Sequence, residues 1–422
     1  MLKKISLILV SILMLSLLIG PGIAAKKVEI TFWNGFTGPD GRYMQNLVDA
    51  FNKTYAGRIE VKMSVMPWGD YYTKVVAAVA AGNPPDVGIM HLDQIAAYVP
   101  RGVIIPLDDL AAELGLSEKD FIPAVWKAGI YEGKRYAIPL DIHPLVFYWN
   151  KKLFKEAGLD PEKPPRNRAE FIEFAKKLTK DKDGDGKIDQ WGTMIPVGWP
   201  NFMIWYSIFF GNGGTLFTPD NKKALFNSPE GIDALQFLVD LVKVYKVSPE
   251  NVAVDADVDA FKRGTCAMEF NGIWMLTAYQ EQPGLEFGAG RVPQLGTKVL
   301  ANWAGSHNFV VFRQRTLDPD KLSAAKTFIG WVSRKSLEWA KAGQLPARLS
   351  VLRSSDFKKI PYIGKLGQEI PQYVVFPPLF PKYGEATGPI WDALNFALTF
   401  KKDPKKALDD AVDLANKILA SD

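Results

Sequence analysis

Hydrophobic positions along the chain follow two habits: short apolar runs rich in β-branched and aromatic residues, and longer stretches in which apolar residues return every third or fourth position. Val28 to Phe32 is a run of the first kind, and Leu47, Val48 and Phe51 mark the buried side of a helix beginning near Arg42. Ile59 to Val65 is the next strand. Tyr72, Val75, Val76 and Val79 then set a helix over Asp70 to Ala81, which stops at Gly82 with Pro84 beyond. Asp86 to Met90 is the third strand. Strand, loop and helix in this order put the strand exits on one edge, where open α/β sheets bind ligands. The exits carry Trp33 and Asp40, Trp68, and His91 and Asp93. For Trp33 a place in the core is the competing expectation.

The pattern changes over Tyr131 to Phe154, YEGKRYAIPLDIHPLVFYWNKKLF. Tyr136 to Ile138 reads as a strand halted by Pro139, His143 is held extended by Pro144, and Leu145 to Trp149 is a fully apolar strand. Two strands in line with no helix between them predict a bridge between two bodies, with Asp141 and His143 at its middle. Beyond it, Lys151 to Ala157 is helical, Asn167 and Glu170 open a second helix, Ser228 and Pro229 a third, and Asp403 and Pro404 the amphipathic tail. Gly198-Trp199-Pro200-Asn201 stands at the mouth of another helix, so Trp199 and Asn201 are candidates from the second body.

IPLDIHPLVFYWNKKLFKEAGL and WGDYYTKVVAAVAAGNPPDVGIMHLDQ resemble the extracellular solute-binding proteins of ABC sugar importers, the group that includes maltose-binding protein. The resemblance implies a two-lobe periplasmic-binding-protein fold of type II, an α/β fold with a ligand cleft at the hinge and several inter-lobe crossings. It implies an N-terminal lobe from 25–142 and 265–316 and a C-terminal lobe from 143–264 and 317–422. AFKRGTCAMEFNGIWMLTAY resembles a return crossing that brings Trp274. NWAGSHN resembles a third crossing, with Trp303, Ser306 and His307, and Arg348 falls in a Leu-Pro-Ala-Arg motif. A polar side chain at Asp93 often bonds sugar hydroxyls in such proteins.

Composition leaves this picture intact. Hydrophobic content of 47% and charged content of 23% suit an ordinary globular protein, and a net charge of +5 is too mild to argue for nucleic acid. Met1 to Ala24, with Lys3 and Lys4, an apolar stretch and small residues at its end, is laid out as a cleaved secretory signal, with an uncleaved membrane anchor as the competing expectation. No cysteine follows it, so the expected location is periplasmic or extracellular without a lipid anchor. Cys266 is the only cysteine, which excludes an intramolecular disulfide, and it sits at the start of a buried strand.

Asp181, Asp183, Asp185, the Lys187 carbonyl and Asp189 match most of a calcium loop, although Gly192 stands where a bidentate glutamate belongs. A structural Ca2+ and a solvated acidic turn are the two expectations, and no cofactor is required. The function expected is carbohydrate capture by hinge closure and delivery to permease subunits, by a monomer and without catalysis. An anionic solute, such as glycerol 3-phosphate or an acidic sugar answered by Arg348 and the histidines, is the alternative. A secreted carbohydrate-active enzyme is a remoter one, since no catalytic motif is present.

Overall fold

The computed structural model describes residues 27–421; the expected signal segment lies outside the described residues. Fourteen strands occur in it: β1 Val28–Asn34, β2 Ile59–Val65, β3 Val87–His91, β4 Ile130–Tyr131, β5 Lys134–Arg135, β6 Ile138–Pro139, β7 Asp141–Asn150, β8 Trp191–Thr193, β9 Cys266–Gly272, β10 Phe287–Gly290, β11 Asn302–Gly305, β12 His307–Val311, β13 Leu345–Pro346 and β14 Val374–Val375. Two sheets carry the fold. The first runs β2-β1-β3-β12-β6, and the second runs β14-β11-β7-β9-β8 with β10 and β13 also on β7. β1, β2 and β3 are mutually parallel with helices as crossovers, so their exits share one edge.

Every residue of β7 is buried. The chain makes two in-line strands here, β6 and β7, but the second begins at Asp141 rather than Leu145 and runs through Pro144. Pro144 is accommodated because it falls where β7 changes partners, between the pairing of His143 and Pro144 with β11 and the pairing of Leu145 to Trp149 with β9. A missing N–H costs least at such a junction. Pro139 is likewise tolerated because β6 is the edge strand of its sheet.

Two segments pass between the sheets side by side. Leu140 joins β6 to β7, and Ser306 joins β11 to β12; the paired registers Asn308↔Pro139 and Gly305↔His143 continue the ladder from one sheet to the other. β13 pairs with Asp141 and Ile142 of β7 and adds a third strand at the hinge. One large apolar cluster, including Phe32, Ile89, Phe309 and Phe328, underlies the first sheet, and another, including Phe147, Trp205, Phe209 and Leu394, underlies the second. Cys266 is fully buried, as its context predicts.

Among the described residues no helix is long and apolar enough to cross a membrane.

Candidate functional site

A cleft of about 650 Å³ opens between the lobes, within the usual range for a small-molecule site. One wall is the loop Gly35–Pro39 after β1, with Asp40 opening the next helix, Trp68, His91 and Asp93; the opposite wall is Trp199, Met203, Asp255, Trp274, Met275 and Trp303. His143 and His307, at the hinge, form the floor.

The rings are continuous from lobe to lobe. Trp68 stacks on His307 with centroids 5.5 Å apart and an interplanar angle of 13°, and Phe36 meets His307 edge-on at 4.8 Å. His307 and His143 lie 4.0 Å apart, His143 reaches Trp303 at 5.9 Å and Trp274 at 5.8 Å, and Trp274 reaches Trp199 at 5.2 Å. Glycines make this packing possible. A Cβ on Gly35 would stand 2.1 Å from the Trp68 ring, one on Gly272 2.0 Å from Trp274, and one on Gly305 2.2 Å from His143. Each ring lies where only a hydrogen fits beneath it.

Asp141 does not line the cleft. It is fully buried behind the floor and accepts from His143 Nδ1 (3.3 Å), His307 Nδ1 (2.9 Å), the His307 backbone N–H (3.0 Å) and Trp339 Nε1 (2.7 Å). Burial alone would raise its pKa, but the attraction of His307 and the hydrogen bonds from both imidazoles outweigh it and hold the carboxyl well below the usual carboxylate range. An ionised carboxylate only accepts, so the Nδ1 of His143 and of His307 carry their protons and the Nε2 atoms are bare when the rings are neutral. Burial lowers His143 to about 4 and pushes His91 well down, so both are neutral near pH 7. The Tyr72 hydroxyl lies 2.7 Å from His91 Nδ1 and accepts from the His91 backbone N–H at 3.0 Å. Asp40 accepts from Gln344 at 3.1 Å, and burial raises it to about 6. Burial also raises the half-buried Asp93, which is bonded to Gln94 at 2.9 Å.

Of the residues expected at the site, Asp40, Trp68, His91, Asp93, His143, Trp199, Trp274, Trp303 and His307 come together. Five do not. Trp33 is in β1 rather than its exit loop, and its side chain packs with the Tyr71 and Met90 cluster on the face opposite Phe32. Asn201 is buried and donates to Asn395 Oδ1 at 3.0 Å, tying two helices together. Ser306 is buried at the crossing, where its hydroxyl accepts from Asn308 at 3.3 Å. Asp141 supports the floor. Arg348 donates to Ser333 Oγ at 3.0 Å and lies over Phe121 at 5.3 Å, away from the cleft lining, so it does not answer an anion there.

Phe36, Met203, Asp255, Val258 and Met275 line the cleft without having been singled out. Only Asp255 carried a signal, as the first of the alternating acids in DADVDA. It stands at the N-cap position of its helix with φ of 65°, a left-handed conformation that aspartate tolerates better than most residues, and its side chain makes no capping hydrogen bond.

The acidic loop lies on the surface, away from the cleft lining. Carboxylate oxygens of Asp181, Asp183 and Asp189 lie within 4.8 Å of one another, whereas Asp185 is outside this group and turns to the Lys187 N–H at 2.8 Å.

Comparison with known proteins agrees with the architecture. The profile of the family described as "Bacterial extracellular solute-binding protein" matches residues 36–336. Curated relatives include the sn-glycerol-3-phosphate-binding periplasmic protein UgpB of Escherichia coli K12, 26% identical, with 94% of this chain and 94% of the relative covered. Similar solved structures include an ABC substrate-binding protein from Listeria monocytogenes in complex with cycloalternan, 25% identical with a TM-score of 0.80, covering 94% of this chain and 100% of that one. Another is the cyclic alpha-maltosyl-1,6-maltose binding protein from Arthrobacter globiformis, 26% identical with a TM-score of 0.74, covering 93% of this chain and 99% of that one.

Proposed function

The chain belongs to the bacterial extracellular solute-binding protein family, and from that premise we propose that it captures a neutral carbohydrate of oligosaccharide size between its lobes and delivers it to the permease of an ABC importer. The observation that carries this reading is the lining itself: four tryptophans and three aspartates, with no lysine or arginine among the lining residues. Pyranose rings offer C–H faces to indole, and their hydroxyls donate to carboxylates. A glycerol phosphate would have to sit among Asp40, Asp93 and Asp255 without a cationic side chain to balance it, a strongly unfavourable desolvation. UgpB is named for that anion; the lining of this chain is better suited to a neutral solute. Rigid rings seated on glycines also limit the entropy lost on binding.

A thermal-shift and calorimetric screen of the mature chain, in chelator, against mono-, di- and oligosaccharides and glycerol 3-phosphate tests the reading. A true ligand at a hundredfold excess over Kd contributes about 2.7 kcal/mol, enough to raise the melting temperature visibly. A shift with a neutral oligosaccharide recovered unaltered is expected. A shift with glycerol 3-phosphate alone, or hydrolysis of the sugar, would overturn it.

The same reading places the protein outside the cytoplasmic membrane as a monomer released after Ala24, so the exported form should have the mass of residues 25–422 and scatter light as one chain. Separately, we propose a structural Ca2+ at Asp181, Asp183 and Asp189, whose carboxylate oxygens lie within 4.8 Å of one another. Calcium added after chelation should raise the melting temperature, and Asp181→Asn should abolish that rise; an unchanged melting temperature in the parent chain removes the site.

A further inference from the structure

We propose that His91, His143 and His307 form a transition-metal site at the floor of the cleft, a three-imidazole arrangement that holds a divalent ion of the zinc, nickel, cobalt or copper class. The inference goes beyond carbohydrate capture and does not depend on it.

These are all the histidines of the chain. They arrive from three different strands, as the last residue of β3, the third of β7 and the first of β12. One ring nitrogen of each lies within 4.8 Å of one ring nitrogen of the other two. A tetrahedral ion with metal–nitrogen bonds of about 2.0–2.1 Å sets its nitrogens roughly 3.3 Å apart, so the three rings draw together and turn when the ion binds.

The outer hydrogen bonds are those of ligating imidazoles. Metal-bound histidines usually donate their second nitrogen to a carboxylate or another fixed acceptor, which sets the tautomer and the ring plane. Here Asp141 takes Nδ1 of both His143 and His307, and the Tyr72 hydroxyl faces Nδ1 of His91. The arrangement leaves bare Nε2 atoms on two rings, and on the third in the tautomer that donates to Tyr72. A buried carboxylate behind two imidazoles also supplies negative charge that a cation compensates, and Asp40 and Asp93 add to it from the cleft wall. Imidazole donors select zinc, copper and nickel over calcium and magnesium, which want oxygen.

The test uses the mature chain made without a polyhistidine tag and stripped with chelator. Zn2+ is titrated calorimetrically, and Co2+ is followed by its visible absorption, which reports nitrogen coordination directly. One ion per chain is expected, weakened roughly a hundredfold or more in His143→Ala and His307→Ala and about 10–100-fold in Asp141→Asn. His91→Gln keeps the test sharp, because His91 lies outside the Asp141 hydrogen-bond set and its replacement leaves that network intact; the same loss is expected there. The double variant Asp181→Asn, Asp189→Asn should bind Zn2+ like the parent. No bound ion, an ion that survives His91→Gln, or one lost with the surface loop would overturn the site. An oligosaccharide shift in chelator without metal binding would leave the carbohydrate reading standing and remove this one, and metal binding without any sugar shift would do the reverse.

Discussion

Asp141 shows how burial and charge settle a residue's role. The sequence reading puts it in contact with ligand at the middle of the bridge, yet it has no exposed surface and satisfies four donors. Asp141→Ala would leave those donors unpaired in the interior, so a loss of roughly 3–5 kcal/mol in urea unfolding of the apo protein is expected. An unchanged apo stability would mean that the carboxylate acts on ligand and not on the floor. Asp40 behaves differently. Burial raises it to about 6 in the folded chain, against about 3.9 when unfolded. Between those values the folded state keeps a proton that the unfolded state has released. Its contribution is therefore complete below about pH 4 and disappears as pH rises through 6. Asp40→Asn should match the parent's unfolding free energy near pH 4 and exceed it at pH 8 by an amount on the order of 3 kcal/mol, as read by urea unfolding; equal stabilities of variant and parent at both pH values would show that Asp40 is not perturbed.

At the scale of elements, the cleft depends on strands that carry a ring on one segment and a glycine on its neighbour. Gly305 of β11 pairs with His143 of β7, and a methyl group there would meet a ring already pinned by Asp141. Gly305→Ala is expected to lower oligosaccharide affinity at least about tenfold (1.4 kcal/mol) with an unchanged far-ultraviolet dichroism spectrum. Gly69→Ala, whose Cβ meets nothing within 4 Å, should bind like the parent. Equal affinities in the two variants would show that ring placement does not matter. These pairings are invisible in the sequence because residues 162 positions apart, 305 − 143, meet only once the ladder has formed. The helices were more legible: Asp403 caps the tail helix through the Lys405 and Lys406 N–H groups, and Gly82 ends its helix in the left-handed conformation.

For the molecule as a whole, two adjacent crossings and β13 give a short hinge about which the lobes can close on a solute. Away from the hinge, Arg101 of the first lobe donates to Glu385 of the second at 2.9 Å, both side chains half-exposed. Such a pair contributes roughly 0.2–1 kcal/mol and is screened by salt. Glu385→Ala should weaken ligand affinity by no more than about fivefold, with the difference shrinking in 0.5 M salt as read by calorimetry. A larger or salt-independent effect would mean that the pair shapes the lobes and does not merely latch them.

The chain by itself determined the order of strands and helices, the two-body plan, the shared edge of the first three strand exits and the presence of every histidine near a strand end. Those follow from local periodicity, turn residues and proline, which act within a few positions of one another. Tertiary structure alone decided which polar and aromatic residues face the solute. Trp33 and Trp68 both lie near strand exits and pack against the same apolar cluster, yet only Trp68 also faces the cleft, because periodicity assigns a residue to a face and only packing decides what covers that face. Asp141 and His307, 166 positions apart, become one hydrogen-bonded unit only when two crossings lie side by side. Long-range pairing of buried polar groups is set by the whole fold, since each must find its partner after water has gone.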